Sequence, residues 1–268
     1  AHVLFSLDLW CGFLSVCGSF KPRGSALDSL RMPVLQCAAM KRRLCAWICG
    51  MAVLCSSLAE AVDVVLSGGV ALTSWEHLRG SSQHDKWWAN FIRSATNRID
   101  DLKAANPRAR IIWIVYRPAY IARGREDGQN YVSQISAEAS KRSVRIVWVD
   151  TAAQAIKALN AAPQGRDKVT SFTYFGHSNR FAFMLDYSNS IMAASKQWIH
   201  EDDLAKSVRR DIFAPNADCR SYGCYTGKSM SRKWKAAFGI PLMGNTESTL
   251  YYPITQGKMP EGAGQWVR

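Results

Sequence analysis

Four short runs rich in β-branched and aromatic residues, at 62–66, 111–116, 145–149 and 169–175, alternate along the chain with segments of helical periodicity. Over 85–103 the apolar residues Trp87, Trp88, Phe91, Ile92, Ala95, Ile99 and Leu102 recur at the spacing of one helix face, and Asn106-Pro107 ends the pattern. Tyr131, Ile135 and Ala139 mark a second face, and Ala152, Ala155, Ile156 and Leu159 a third. Strands that are apolar nearly throughout must be covered on both sides, and helices between them supply the cover. The pattern therefore predicts an α/β fold, a three-layer sandwich with a mostly parallel central sheet flanked by helices. Further on it predicts a helix near 202–210, a short strand leading to Cys224, and a helix starting near 226–229 with Met230, Trp234 and Ala237 on its inner face. A last strand follows Pro241, closed by Tyr251-Tyr252-Pro253, while 181–192 takes no assignment.

The N-terminal part reads differently. Residues 1–39 begin without methionine and show no periodicity, as expected of read-through upstream of a true start. From Met40 the chain runs through Lys41-Arg42-Arg43, an apolar stretch over 44–54, and Ala59-Glu60-Ala61. A charged start, an apolar middle and an A-x-A site describe a secretory signal peptide over 40–61. The apolar stretch is well short of the ~20 residues that span a bilayer, so no stable membrane insertion is expected once it is cleaved. The expected product is a secreted or periplasmic domain over 62–268. Of the eight cysteines, Cys11, Cys17, Cys37, Cys45, Cys49 and Cys55 precede it and only Cys219 and Cys224 remain. Over 62–268 the 28 basic and 18 acidic residues leave a formal charge of +10, spread without a long basic run, and no zinc-finger or basic-aromatic RNA motif occurs, so nucleic acid is not an expected partner. No metal or cofactor is expected either, and the oligomeric state is not legible.

In open α/β sheets ligands bind beyond the carboxyl ends of the strands. The residues there are Ser67, Gly68, Gly69, Arg117, Asp150, His177 and Cys224. A thiol and an imidazole on consecutive sheet strands suit covalent catalysis, because neighbouring strands lie about 5 Å apart however long the chain between them. Cys224 would attack a carbonyl carbon and His177 would support the thiolate or protonate the leaving amine. The backbone N–H groups of Ser178 and Cys224 would hold the oxyanion. Gly68, Gly69, Arg117 and Asp150 form a candidate substrate groove, bordered by a loop over 117–128 with Arg123, Arg125, Glu126 and Asp127.

An apolar strand ending in Gly176-His177, followed by a second ending in Ser221-Tyr222-Gly223-Cys224-Tyr225-Thr226-Gly227, resembles the caspase-like cysteine peptidase superfamily. The Cys-x-Thr-Gly segment is most similar to its bacterial CHAT-type branch, and Ile240-Pro241-Leu242-Met243-Gly244-Asn245-Thr246 resembles the stretch after the catalytic helix. The resemblance implies a His/Cys dyad, with those roles on His177 and Cys224, and hydrolysis of a peptide or protein substrate. Ser178 departs from it, standing where the family usually has glycine, and no charged residue is assignable to a primary specificity pocket.

Other readings stay open. The same fold can serve as a binding or scaffolding domain with weak catalysis. Cys219 and Cys224 would pair as a disulfide only if residues 220–223 form a hairpin. Gly176-His177-Ser178-Asn179-Arg180 is similar to the nucleophile elbow of serine esterases of the α/β-hydrolase type, but Arg180 replaces the last glycine and only His200 follows. Gly223 to Ser229 has one residue too few for a phosphate-binding loop, which leaves Lys228 and Ser229 to a first helical turn. His200, beside Glu201, Asp202 and Asp203, reads as a helix start.

Overall fold

A computed structural model describes residues 60–76, 87–191 and 194–268. The segments read as upstream sequence and as a signal peptide lie outside these residues, apart from Glu60 and Ala61. Among the described residues no helix is long and apolar enough to cross a membrane.

The expected three-layer sandwich is present. Its strands are β1 (Ala61–Ser67), β2 (Arg110–Tyr116), β3 (Arg145–Val149), β4 (Lys168–Phe175), β8 (Phe213–Ser221), β9 (Leu242–Asn245) and β12 (Trp266–Val267). They lie in the order β12-β9-β8-β4-β1-β2-β3, parallel throughout except for the antiparallel edge strand β12, while β10 (Thr249–Leu250) and β11 (Glu261–Gly262) pair antiparallel outside this sheet.

Side chains alternate across the sheet and build two cores. On one face Val62, Val64, Leu66, Ile112, Ile114, Phe172 and Tyr174 pack with Ala155 and Leu159 of helix α5 (Ala152–Asn160), Leu204 of α6 (Glu201–Ser207) and Met230, Trp234 and Phe238 of α7 (Ser229–Phe238). On the other, Val65, Ile111, Trp113 and Val115 pack with Phe91, Ile92, Ala95 and Ile99 of α2 (Asn90–Ala105), Tyr120 of α3 (Arg117–Asp127) and Ile135 and Ala139 of α4 (Tyr131–Lys141). A short helix α1 (Thr73–Glu76) follows β1. The Thr151 hydroxyl accepts from Gln154 N at the start of α5 (3.1 Å), and Asn130 Oδ1 accepts from Ser133 N at the start of α4 (2.9 Å). His200 caps α6 through Nδ1, consistent with a helix start.

Several boundaries differ from the sequence expectation. Of the helix expected over 85–103, residues 85 and 86 lie outside the described residues, Trp87 and Trp88 fall in a bend and turn, and the helix runs over Asn90–Ala105. The segment 117–128, expected as a loop, is helix α3, entered through Pro118 and closed by Gly128 in the left-handed conformation at φ 65°. Its charge hid it. Arg123 lies on the inner face, buried because its guanidinium donates to Asp127 and to the Ala71 carbonyl (2.7 and 3.2 Å). The unassigned stretch contributes β6 (Ala182–Met184), which joins β5 (His177–Ser178) and β7 (Trp198–His200) in a separate antiparallel sheet. The short strand before Cys224 is the nine-residue β8. The helix near 202–210 ends at Ser207, and a 3-10 turn over Arg210–Ile212 follows.

Candidate active site

β4 and β8 are neighbours, and their carboxyl ends carry the imidazole and the thiol. After Phe175 the chain passes through Gly176, where a Cβ would stand 2.8 Å from Tyr174 Cζ and 3.2 Å from Gly68 Cα, so only glycine fits. The chain then turns into β5. His177 is 7 % exposed, its ring stacked on Tyr187 (centroids 4.2 Å) and met edge-on by Phe91 (5.2 Å). Its carbonyl accepts from the Tyr174 hydroxyl at 2.6 Å.

Ser178 makes the direct link between the two strand ends. Its hydroxyl donates to the Cys224 carbonyl at 2.6 Å, and Tyr222 N donates to the Tyr174 carbonyl at 2.9 Å. Across the β5–β6 hairpin Asn179 N bonds the Ala182 carbonyl. Bonded and non-bonded pairs alternate in an antiparallel ladder, so Ser178, opposite Phe183, falls in a non-bonded pair with its N–H directed away from β6. That donor is not used by the ladder. At Gly223 a Cβ would stand 2.7 Å from Ser178 Cβ, so the serine found where the resemblance calls for glycine is accommodated by a glycine on the facing strand end.

The turn after β8 is laced to the chain that follows β9. Tyr225 takes a positive φ of 62°, and its N–H donates to the Glu247 carbonyl (2.8 Å). Gly227 N donates to Asn245 O (2.9 Å), the buried Thr226 hydroxyl donates back to Gly223 O (3.1 Å), and Ser231 N donates to Thr226 O (3.0 Å). Thr249 N donates to Cys224 Sγ at 3.4 Å, a contact that strengthens as the sulfur gains negative charge. Cys224 is half-buried and is not joined to Cys219. Cys219 lies within β8, where burial and then the Asp218 charge push its thiol up to about 12.

Two phenols frame the sulfur. Burial raises both Tyr174 and Tyr251 well above the ordinary tyrosine value, with the nearby Cys224 as the next cause, so both stay protonated. The Tyr251 hydroxyl donates to Tyr222 O at 2.9 Å and also meets the Gly176 backbone, pinning the ends of β8 and β4 together. Nothing in the sequence pattern marks Thr249, Tyr251 or Tyr174 as site residues. Thr249 acts through its backbone, which no residue type announces, and the tyrosines read as ordinary apolar positions.

The remaining candidates, Gly68, Gly69, Arg117 and Asp150, take other places. Gly68 and Gly69 are buried: Gly68 O accepts from Tyr120 Oη (2.8 Å), and Gly69 N donates to Leu185 O (2.8 Å). They form a packed floor beneath the histidine loop rather than an open groove wall. Arg117 and Asp150 engage each other through two hydrogen bonds of 2.9 and 2.6 Å at the ends of β2 and β3. β2 lies two strands from β4, roughly 10 Å, so this pair does not adjoin His177. The Ser178 hydroxyl is engaged by Cys224 O, and a hairpin follows it instead of the helix of a nucleophile elbow.

Among the described residues no group of three or more His, Cys, Asp or Glu side chains is arranged to hold a metal ion. Comparison with family models, curated proteins and solved structures gives no match.

Proposed function

We propose that the protein is a cysteine hydrolase acting on peptide bonds, with Cys224 as nucleophile and His177 as acid/base. The observation that carries this reading is the tie between the two strand ends: Ser178, next to His177, donates to the Cys224 carbonyl while Thr249 N–H donates to the Cys224 sulfur. In the first step the sulfur bonds to the substrate carbonyl carbon, the C–N bond breaks, and a proton passes through His177 to the leaving amine. Water then attacks the thioester, gives its proton to His177, and releases the acid with the thiol restored. The Ser178 N–H, left over by the β5–β6 ladder, and the Cys224 N–H are the proposed oxyanion donors.

The test is cleavage of a broad peptide library by the whole chain and by Cys224→Ala and His177→Ala. Cleavage lost in both variants, with a peptide acyloxymethyl ketone attached at Cys224 in the wild type, supports the assignment. Unchanged cleavage by Cys224→Ala rules it out. A second reading, a binding domain of the same fold, draws on the depth of His177 between Tyr187 and Phe91. It predicts peptide binding without turnover. A secreted or periplasmic setting is part of the proposal, on the basis of residues 40–61.

A further inference from the structure

The small antiparallel sheet extends the site sideways. His177 stands opposite Met184, and Met184 opposite Trp198. Directly opposed residues share a face, so the three side chains form one row across the sheet. The other face carries Phe183 and Ile199, both buried in the core. Exposure rises along the row: His177 is 7 % exposed, Met184 is half-buried, and Trp198 is 50 % exposed. Tyr187 joins the first two, stacking on His177 at 4.2 Å and reaching Met184 Sδ with its hydroxyl at 3.7 Å. Each strand spacing is about 5 Å, so an apolar shelf runs roughly 10 Å outward from the imidazole. The nearest carboxylate in sequence, Asp186, is turned elsewhere: it is buried, accepts from the Ser188 hydroxyl at 2.7 Å, and adds to the burial that keeps the Tyr116 phenol protonated.

We propose that Met184, Tyr187 and Trp198 form a specificity subsite that takes a bulky apolar side chain, aromatic or long aliphatic, of a peptide substrate beside its scissile bond. This rests on the hydrolase reading of His177 and Cys224. A flexible thioether between two aromatic rings adapts to such a side chain, and a half-exposed tryptophan gains from being covered by one. Beyond the imidazole, Met184 and Trp198 carry no charge to meet an acidic or basic side chain.

The test compares peptides identical except for Phe, Leu, Asp or Arg at the positions flanking the cleaved bond, using the full chain and Trp198→Ala. The expected result is kcat/KM at least about tenfold higher for Phe and Leu, a preference that Trp198→Ala removes, with a melting curve verifying that the variant is folded. Preference for Asp or Arg, or an unaltered profile in a folded Trp198→Ala, overturns the subsite. If no peptide is cleaved the hydrolase reading fails, and binding of the same peptides to Cys224→Ala, followed by fluorescence anisotropy, decides the subsite alone. Tighter binding of the Phe peptide that Trp198→Ala abolishes sustains it, and equal or absent binding overturns it.

Discussion

Ser178 and Gly223 divide one small space between two strand ends. A Cβ at Gly223 would stand 2.7 Å from Ser178 Cβ and 3.2 Å from Tyr174 Cε1, a distance real side chains do not tolerate. Gly223→Ala therefore has to push the serine aside and break its bond to the Cys224 carbonyl. We expect a loss of about 1–3 kcal/mol in urea unfolding, as for other overpacked sites. Ser178→Gly vacates the same space, so the double variant is expected to recover part of that loss, a coupling that a double-mutant cycle measures directly. Additive losses would mean that the two residues do not compete. The cysteines differ as sharply. With its thiol pushed up to about 12, Cys219 is ionised at pH 7.5 in only about one part in 10⁴ to 10⁵ and is shielded within β8. Cys224 is half-buried in a turn with a backbone donor on its sulfur. Iodoacetamide is expected to modify Cys224 at least about a hundredfold faster in the native protein, read by peptide mass after digestion, and equal rates would contradict this environment.

Among the elements, helices α4 and α5 begin on side-chain caps supplied by Asn130 and Thr151. Thr151→Ala removes the acceptor for Gln154 N at the start of α5 and is expected to cost about 1 kcal/mol, seen as a lower urea midpoint at unchanged slope. Asn130→Ala should cost a similar amount at α4, additively, since the two caps share no partner. Elements defined by apolar periodicity were legible. The runs at 62–66, 111–116, 145–149 and 169–175 are β1 to β4 to within a residue, and Ala152, Ala155 and Leu159 mark α5. Elements held by polar contacts were not. α3 buries a guanidinium where periodicity looks for a hydrocarbon, and β5, β6 and β7 are two or three residues each, too short for a period to register. The same split runs through the site. His177 and Cys224 stand out as reactive side chains at strand ends, whereas the Thr249 amide and the row from His177 to Trp198 exist only through pairing that no local pattern encodes.

At the scale of the whole fold, a half-buried polar seam ties α2 to the strands β1, β4 and β8. Arg98 of α2 reaches Ser171 and Thr173 on β4 (3.2 and 3.4 Å) and Asp218 on β8 (3.3 Å), and Arg220 pairs with the same Asp218 at 2.7 Å. Asp63 of β1 shares this seam, its carboxylate accepting from the Thr170 hydroxyl at 3.2 Å. Burial raises the Asp63 carboxyl above 3.8, with Asp218 adding to the shift, and the Thr170 bond and the Arg98 charge offset this only in part. The native state thus holds this proton more tightly than the unfolded chain does. As pH rises from 3.8 through the raised native value, the unfolded state gives up the proton first, and stability falls across that window. At neutral pH the buried charge is therefore a net cost, and Asp63→Asn, which keeps an acceptor for Thr170 and leaves Arg98 its bond to Asp218, removes it. The variant is expected to melt above the wild type at pH 7, with the gap narrowing as the pH is lowered towards 3.8. Exposed carboxylates such as Asp202 and Asp211, held low by Lys233 and Arg209, titrate alike in both proteins and cancel in the difference. A variant melting lower at pH 7 would mean that the Arg98 attraction outweighs burial at Asp63, and a gap that stays constant into acid would mean that this carboxyl titrates alike in the folded and unfolded chain.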